Sequence, residues 1–196
     1  MAGRSEPEIF FDALALNGVS LRDAAESERL VAPFGAELAT SLAARRDLLT
    51  GEGQLLPGAA ESMAAVAALP DTVQSVLTGS SRPNATLKLR AFGLERYVDL
   101  AVGGFVGSEA YPKGTLLRVA RQRAEEKYTV TFAEHATVYI ADSPRDVEAA
   151  KLGGARSVAV ASGRASTAEL RDAGADAVLP DLTDTARVVA LVTAAP

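Results

Sequence analysis

Asp142 ends an apolar run, Val138-Tyr139-Ile140-Ala141, and Asp146 follows four residues later, behind Ser143-Pro144-Arg145. A β-branched and aromatic run that stops at an acid predicts a buried strand delivering Asp142 to its carboxyl tip. Open α/β sheets place their ligands at that edge. Ser143-Pro144 then reads as the N-cap and first residue of a helix, which sets Asp146 within the first turn. Two carboxylates so placed suit a divalent cation and the phosphate it accompanies. A second candidate strand, Val76-Leu77-Thr78, runs into Gly79-Ser80. Exposed backbone N–H groups beside a threonine hydroxyl can hold phosphate oxygens. Lys113 opens a predicted helix, where an ammonium can neutralise a phosphate or a charged intermediate.

Each of these residues also has a plainer reading. Ser143-x-x-Asp146 is itself a capping arrangement, and an acid in a first helical turn is favoured by the helix dipole. Asp142 can be a turn former, Thr78 an ordinary strand end, and Lys113 an exposed helix-start lysine. Lys88 competes for the cationic role but is expected on a solvated face. Arg4 can reach a substrate carboxylate or phosphate, although a terminal arginine is usually solvated. His135 is the only histidine and the chain has no cysteine, so a zinc site is disfavoured. Gly103-Gly104-Phe105-Val106-Gly107 does not fit the dinucleotide-binding glycine pattern. Arg118, Arg121 and Arg123 share helical spacing and are expected to form an exposed face.

The elements that must carry these residues fall into two patterns. Apolar residues at helical spacing predict helices over 8–16 and 21–44, and an Ala-rich helix over 59–69, with a turn at Thr50-Gly51-Glu52-Gly53. Beyond Pro70, strands are expected at 73–78, 99–102, 137–141, 157–161 and 177–179. They alternate with helices at 84–92, 114–126, 144–152, 167–173 and 184–193. Short apolar strands separated by helices imply a mostly parallel sheet covered on both faces. Ser166-Thr167-Ala168-Glu169 reads as a capping box. The expected organisation is a helical unit over 1–56 and an α/β unit over 57–196.

Composition bounds the function. The chain has 196 residues, 48% hydrophobic and 23% charged, as in an ordinary globular protein. A net charge of −5 with no basic run gives no support to nucleic-acid binding. No stretch reaches the apolar length of a membrane span, and the first residues are too charged for a signal peptide, so a cytoplasmic setting is expected.

Taken in order, Thr78-Gly79-Ser80, Lys113 and Ala141-Asp142-Ser143-Pro144-Arg145-Asp146 resemble the haloacid dehalogenase superfamily of phosphohydrolases. The similarity is strongest to its phosphoglycolate-phosphatase-like members with a helical cap. Residues 149–155, 158–163 and 175–182 look like the elements that follow the acidic motif in that family. Gly3-Arg4-Ser5-Glu6-Pro7 is similar to a turn in the caps of some members. The resemblance implies a Rossmann-like parallel sheet with a partial helical cap, and Mg²⁺-dependent hydrolysis of a small phosphorylated metabolite. It implies that Thr78, Gly79 and Ser80 hold the phosphate, that Arg4 reaches it from the cap, and that Lys113 stabilises charge. Asp142 would ligate Mg²⁺, and Asp146 would orient a metal water or pair with the lysine.

The sequence also departs from the family. Its D-x-D-x-[TV] nucleophile motif is absent; Asp12, Asp23 and Asp47 lie on predicted helices without a second aspartate two positions on. Ser80 replaces a common asparagine, and Gly114 rather than proline follows Lys113. The chain is therefore expected to be inactive or nearly so, and to lack the family's first sheet strand. Unpaired sheet edges then favour poor solubility or homo-oligomerisation. A start assigned inside a longer phosphatase is the preferred explanation. A non-catalytic phosphate- or partner-binding module is the alternative, and an unrelated α/β binding domain is disfavoured.

Overall fold

The structure is a computed structural model in which residues 4–106 and 113–194 are described. It is α/β, with parallel strands and helices around them. Helices α1 (Glu6–Leu16), α2 (Ala24–Ala44) and α3 (Arg46–Gly51) come first, followed by α4 (Ala59–Ala67). Then come β1 (Leu77–Thr78), α5 (Arg82–Ala91), β2 (Gly104–Phe105) and α6 (Lys113–Tyr128). The remainder alternates: β3 (Val138–Ala141), α7 (Pro144–Leu152), β4 (Arg156–Val160), α8 (Thr167–Asp172), β5 (Ala177–Leu179) and α9 (Thr185–Thr193). No helix among the described residues is long and apolar enough to cross a membrane.

Among the described residues the strands form two separate parallel sheets, β1-β2 and β3-β4-β5. The three-stranded sheet is covered on both faces, as parallel sheets require. Side chains alternate across a strand, so Val138 and Ile140 of β3 join Val66 from α4 and Val188 from α9 in one apolar layer, with Val158 and Leu179. The opposite face of β4 and β5 buries Ala159 with Val147 of α7 and Leu170 of α8, backed by Val178. Both faces of β4 are thereby closed, and Ser157 to Val160 are all buried.

Local chemistry explains where the elements begin. Ser143 caps α7, accepting from the Asp146 N–H at 3.3 Å, and Pro144 stands at the first helical position. Ser166 and Glu169 form the expected capping box at α8. A second box, Ser5 with Glu8, opens α1 and extends that helix two residues beyond its predicted start.

The structure departs from expectation in four places. Of the strand expected at 73–78, only Leu77–Thr78 is laddered. Just before it, Gln74 donates through its side chain to the Met63 and Tyr97 carbonyls, and Ser75 to the Asp99 carbonyl. The strand expected at 99–102 is a 3-10 turn over Leu100–Val102, because the Asp99 carboxylate accepts from the Ala101 N–H at 2.9 Å; the ladder moves to Gly104–Phe105. Arg46–Gly51 is helical where a turn was expected around Thr50. Arg121 and Arg123 are not an exposed face. They donate to the Gly153 and Gly103 carbonyls at 3.0 and 2.7 Å and tie α6 to its neighbours, and only Arg118 is exposed.

Candidate functional site

The carboxyl ends of β1 and β3 belong to different sheets yet line one cleft of about 390 Å³. Leu77 to Ser80 form one wall, and Tyr139 to Asp142 form the other. Arg4, Glu6 and Ile9 close it from the helical side, and Lys88, Lys113 and Asp146 complete the lining. Every residue singled out for chemistry in the sequence therefore reaches the same space.

Asp146 is the best-held charge in the cleft, at 3% exposure. One carboxylate oxygen accepts from the Lys113 ammonium at 2.6 Å and from the Tyr139 hydroxyl at 3.0 Å. The other accepts from the Ser143 hydroxyl at 2.6 Å. A buried carboxylate is tolerated when it is paired and hydrogen-bonded, and both conditions hold here. Asp146 thus both donates its N–H to the Ser143 cap in the first turn of α7 and anchors Lys113 in the cleft. Burial pushes the Tyr139 phenol well above its usual range, and the neighbouring negative charge of Asp146 adds to the shift. Tyr139 therefore remains a neutral donor throughout the working pH range.

Opposite lies the loop after β1. Thr78 accepts through its hydroxyl oxygen from the Ser80 N–H at 3.1 Å, which leaves its own proton to donate into the cleft. Lys88 reaches across from α5 and donates to the Ser80 hydroxyl at 3.1 Å. Gly79 is required by a close passage. A Cβ there would come within 2.6 Å of the Arg4 carbonyl oxygen and the Ser5 Cα. Arg4 itself forms an ion pair with Asp12 on α1, so its guanidinium is held along the helix rather than free in the cleft.

Asp142 is half-buried at the tip of β3 and has no hydrogen bond or ion pair among the described residues. Its carboxylate rests against Gly163, where a Cβ would approach Oδ2 to 2.2 Å. No group of three or more histidine, aspartate or glutamate side chains is assembled for a metal among the described residues. Mg²⁺ commonly takes one or two carboxylates and completes its shell with waters and phosphate oxygens. The residues present fit that cation at the lower limit, with Asp142 as the open carboxylate.

Three cleft residues, and Gly163 beside Asp142, were not singled out as site residues in the sequence. Tyr139 is the polar aromatic in an otherwise aliphatic strand three residues before Asp142, and that exception is a readable signal. Lys88 lies one turn beyond Asn84 on α5, and helical spacing alone does not say which face meets the cleft. Gly163 and Glu6 carry no local signal, because their contacts are with residues distant in sequence.

Comparison with known proteins agrees with this fold. Residues 112–185 match the HAD-hydrolase-like family model. No curated protein matches the sequence significantly. Among solved structures, a hydrolase from Pseudomonas syringae superposes with a TM-score of 0.66 at 22% identity, covering 98% of this chain and 81% of its own. A haloacid dehalogenase-like hydrolase from Streptococcus pneumoniae gives 0.57 at 18% identity, with coverages of 95% and 91%. A predicted phosphatase from Clostridium acetobutylicum gives 0.56 at 17%, with coverages of 90% and 87%. The strand-tip acid, the buried lysine–aspartate pair and the hydroxyl loop thus occur on a shared architecture. Residues 112–185 are thus similar in sequence to the HAD-hydrolase-like family, and nearly the whole chain shares the fold of these solved hydrolases.

Proposed function

We propose that the cleft binds the phosphate of a small phosphorylated metabolite and that this 196-residue chain, in a cytoplasmic setting, does so without turnover. The observation that carries the reading is convergence: the Thr78 hydroxyl, the Lys88 ammonium and the buried Lys113–Asp146 pair share one cleft at the ends of two strands. Thr78 and the Gly79-Ser80 loop offer donors to phosphate oxygens. Among the described residues, Lys88 is the cleft cation outside an ion pair, so it is assigned to the phosphate charge. Lys113, fixed by Asp146, contributes positive potential from one side without having to move. Asp142 holds Mg²⁺, which when bound supplies Lewis acidity and charge neutralisation at phosphate oxygens.

Hydrolysis by the family's two-step route requires an aspartate nucleophile facing the phosphate, and the sequence contains no D-x-D-x-[TV] segment. Wherever such a carboxylate faces Thr78 and Lys113, the same cleft serves a phosphomonoester hydrolase. In this chain the remaining charges bind but have no covalent partner for phosphorus.

Isothermal titration with inorganic phosphate and Mg²⁺ tests the binding. Saturable binding is expected, weakened about tenfold in either Thr78→Ala or Lys88→Ala, the scale of one lost charge-assisted hydrogen bond. Absence of binding by the wild type, or indifference to both changes, overturns the assignment. Hydrolysis of p-nitrophenyl phosphate with Mg²⁺ should stay at blank; clear turnover would remove the non-catalytic half of the proposal.

A further inference from the structure

The first turn of α1 is fastened to the loop after β1 by the side chain of Glu6. Its carboxylate accepts from the Ser81 N–H at 3.0 Å and from the Asn84 side-chain amide at 3.1 Å to each oxygen. Its own N–H donates to the Gly79 carbonyl at 2.7 Å. Asn84 is 1% exposed, so its amide has no water to fall back on. Ser81 is the N-cap of α5, but its hydroxyl makes no capping bond and is buried without a partner among the described residues. The anion that completes this helix start is therefore supplied from α1, about 75 residues away in sequence. Glu8, two residues on, adds a looser contact to Arg145 of α7 at 3.6 Å.

Glu6 also faces the cleft. Three carboxylates, Glu6, Asp142 and Asp146, line it against three cations, Arg4, Lys88 and Lys113. While it is seated, Glu6 adds a negative charge to that lining and so weakens the attraction for an entering dianion.

We infer that Glu6 is an internal anion that clasps the helical segment onto the core by filling the Ser81 and Asn84 donors that adjoin the phosphate loop. Clasping and phosphate binding then oppose each other. An incoming phosphate either shares the cleft with an unfavourable carboxylate or displaces Glu6, and displacement frees α1 from the loop. The Ser81 N–H and the Asn84 amide become ligand donors only after Glu6 leaves. This inference rests on the phosphate reading for its ligand, but not for the clasp itself.

Two measurements on the whole chain separate those parts. In hydrogen exchange without ligand, Glu6→Ala should speed exchange in peptides covering 5–16 and 80–84, while those covering 156–160 stay unchanged and report that the core is folded. In titration with inorganic phosphate, Glu6→Ala should bind about tenfold more tightly than wild type. Glu6→Gln keeps an acceptor oxygen and loses the charge, so it should fall between them. Faster exchange without tighter phosphate binding overturns the competition and leaves Glu6 a structural fastener. Unchanged exchange overturns the clasp. If wild type binds phosphate in a Lys88-dependent way and Glu6→Ala matches it, this inference fails alone. If neither protein binds, the phosphate reading falls and the competition falls with it.

Discussion

The two sides of the cleft are built in opposite ways. On one side β3, β4 and β5 form a continuous ladder with helices over both faces, and β4 is buried along nearly its whole length. On the other, β1 and β2 are two residues each, and polar side chains such as Gln74, Ser75 and Asp99 do much of the joining. Burial also differs from strand to strand. The strands flanking the cleft, β1 and β3, are half-buried, whereas β2 and most of β4, set farther from it, are buried. Stability and ligand chemistry thus occupy different places: apolar layers hold the outer framework, and the space between β1 and β3 is left for polar groups.

The largest expected effect tests whether the cleft itself contributes to stability. Asp146→Ala leaves the Lys113 ammonium beside a cavity with no counter-charge, and Tyr139 and Ser143 without their acceptor. A loss of about 3 kcal/mol in urea unfolding is expected. A loss near zero would mean that the pair is solvated and the contrast between the two sides is weaker than drawn.

The next test compares the apolar layers directly. Val188 is 1% exposed in the layer shared by α4, α9 and the three-stranded sheet. Val188→Ala should cost about 2 kcal/mol, whereas Leu77→Ala on half-buried β1 should cost less than about 1 kcal/mol by the same measurement. Equal losses would erase the distinction.

The smallest effect concerns pH. Burial pushes the Asp176 carboxyl up, but hydrogen bonds from the Ser157 N–H and hydroxyl, each 2.7 Å, outweigh it and hold the group below its ordinary 3.8. A depressed carboxyl contributes stability above its unfolded value and loses it as pH falls through the folded one. Asp176→Asn should therefore melt a few degrees below wild type at pH 7, with the gap closing below about pH 4. A gap that persists at pH 2 would assign the effect to shape rather than charge.

The stronger side was also the more legible in sequence. The range 144–152 is helical as expected because Ser143-Pro144 begins it and Gly153-Gly154 follows it, and 177–179 is a strand because three apolar residues sit between turn formers. The weaker side was less legible for a physical reason. Gln74 and Asp99 use their side chains to satisfy backbone groups, and such substitution for a ladder leaves no periodic trace. The site divides in the same way. Asp142 and Asp146 announce themselves by spacing along one strand and one helix start, and Thr78 by its place before glycine. Glu6 meets Asn84 across 78 residues of sequence, and the short turn around it gives no sign of that partner.

The layer joining α4, α9 and the three-stranded sheet has a consequence for biosynthesis. Val66 precedes the five strands of the described residues and Val188 follows them, yet they pack in one cluster, and Ser62 donates to the Leu182 carbonyl 120 residues downstream. A nascent chain cannot close this layer when β3 first leaves the ribosome, because α9, which supplies Val188, has not yet emerged. Strands with an open apolar face must wait for α9, and contacts of such long sequence separation form slowly. Between the emergence of β3 and that of α9 the apolar face of the sheet stays open to chaperones and to mispairing with neighbours on a polysome.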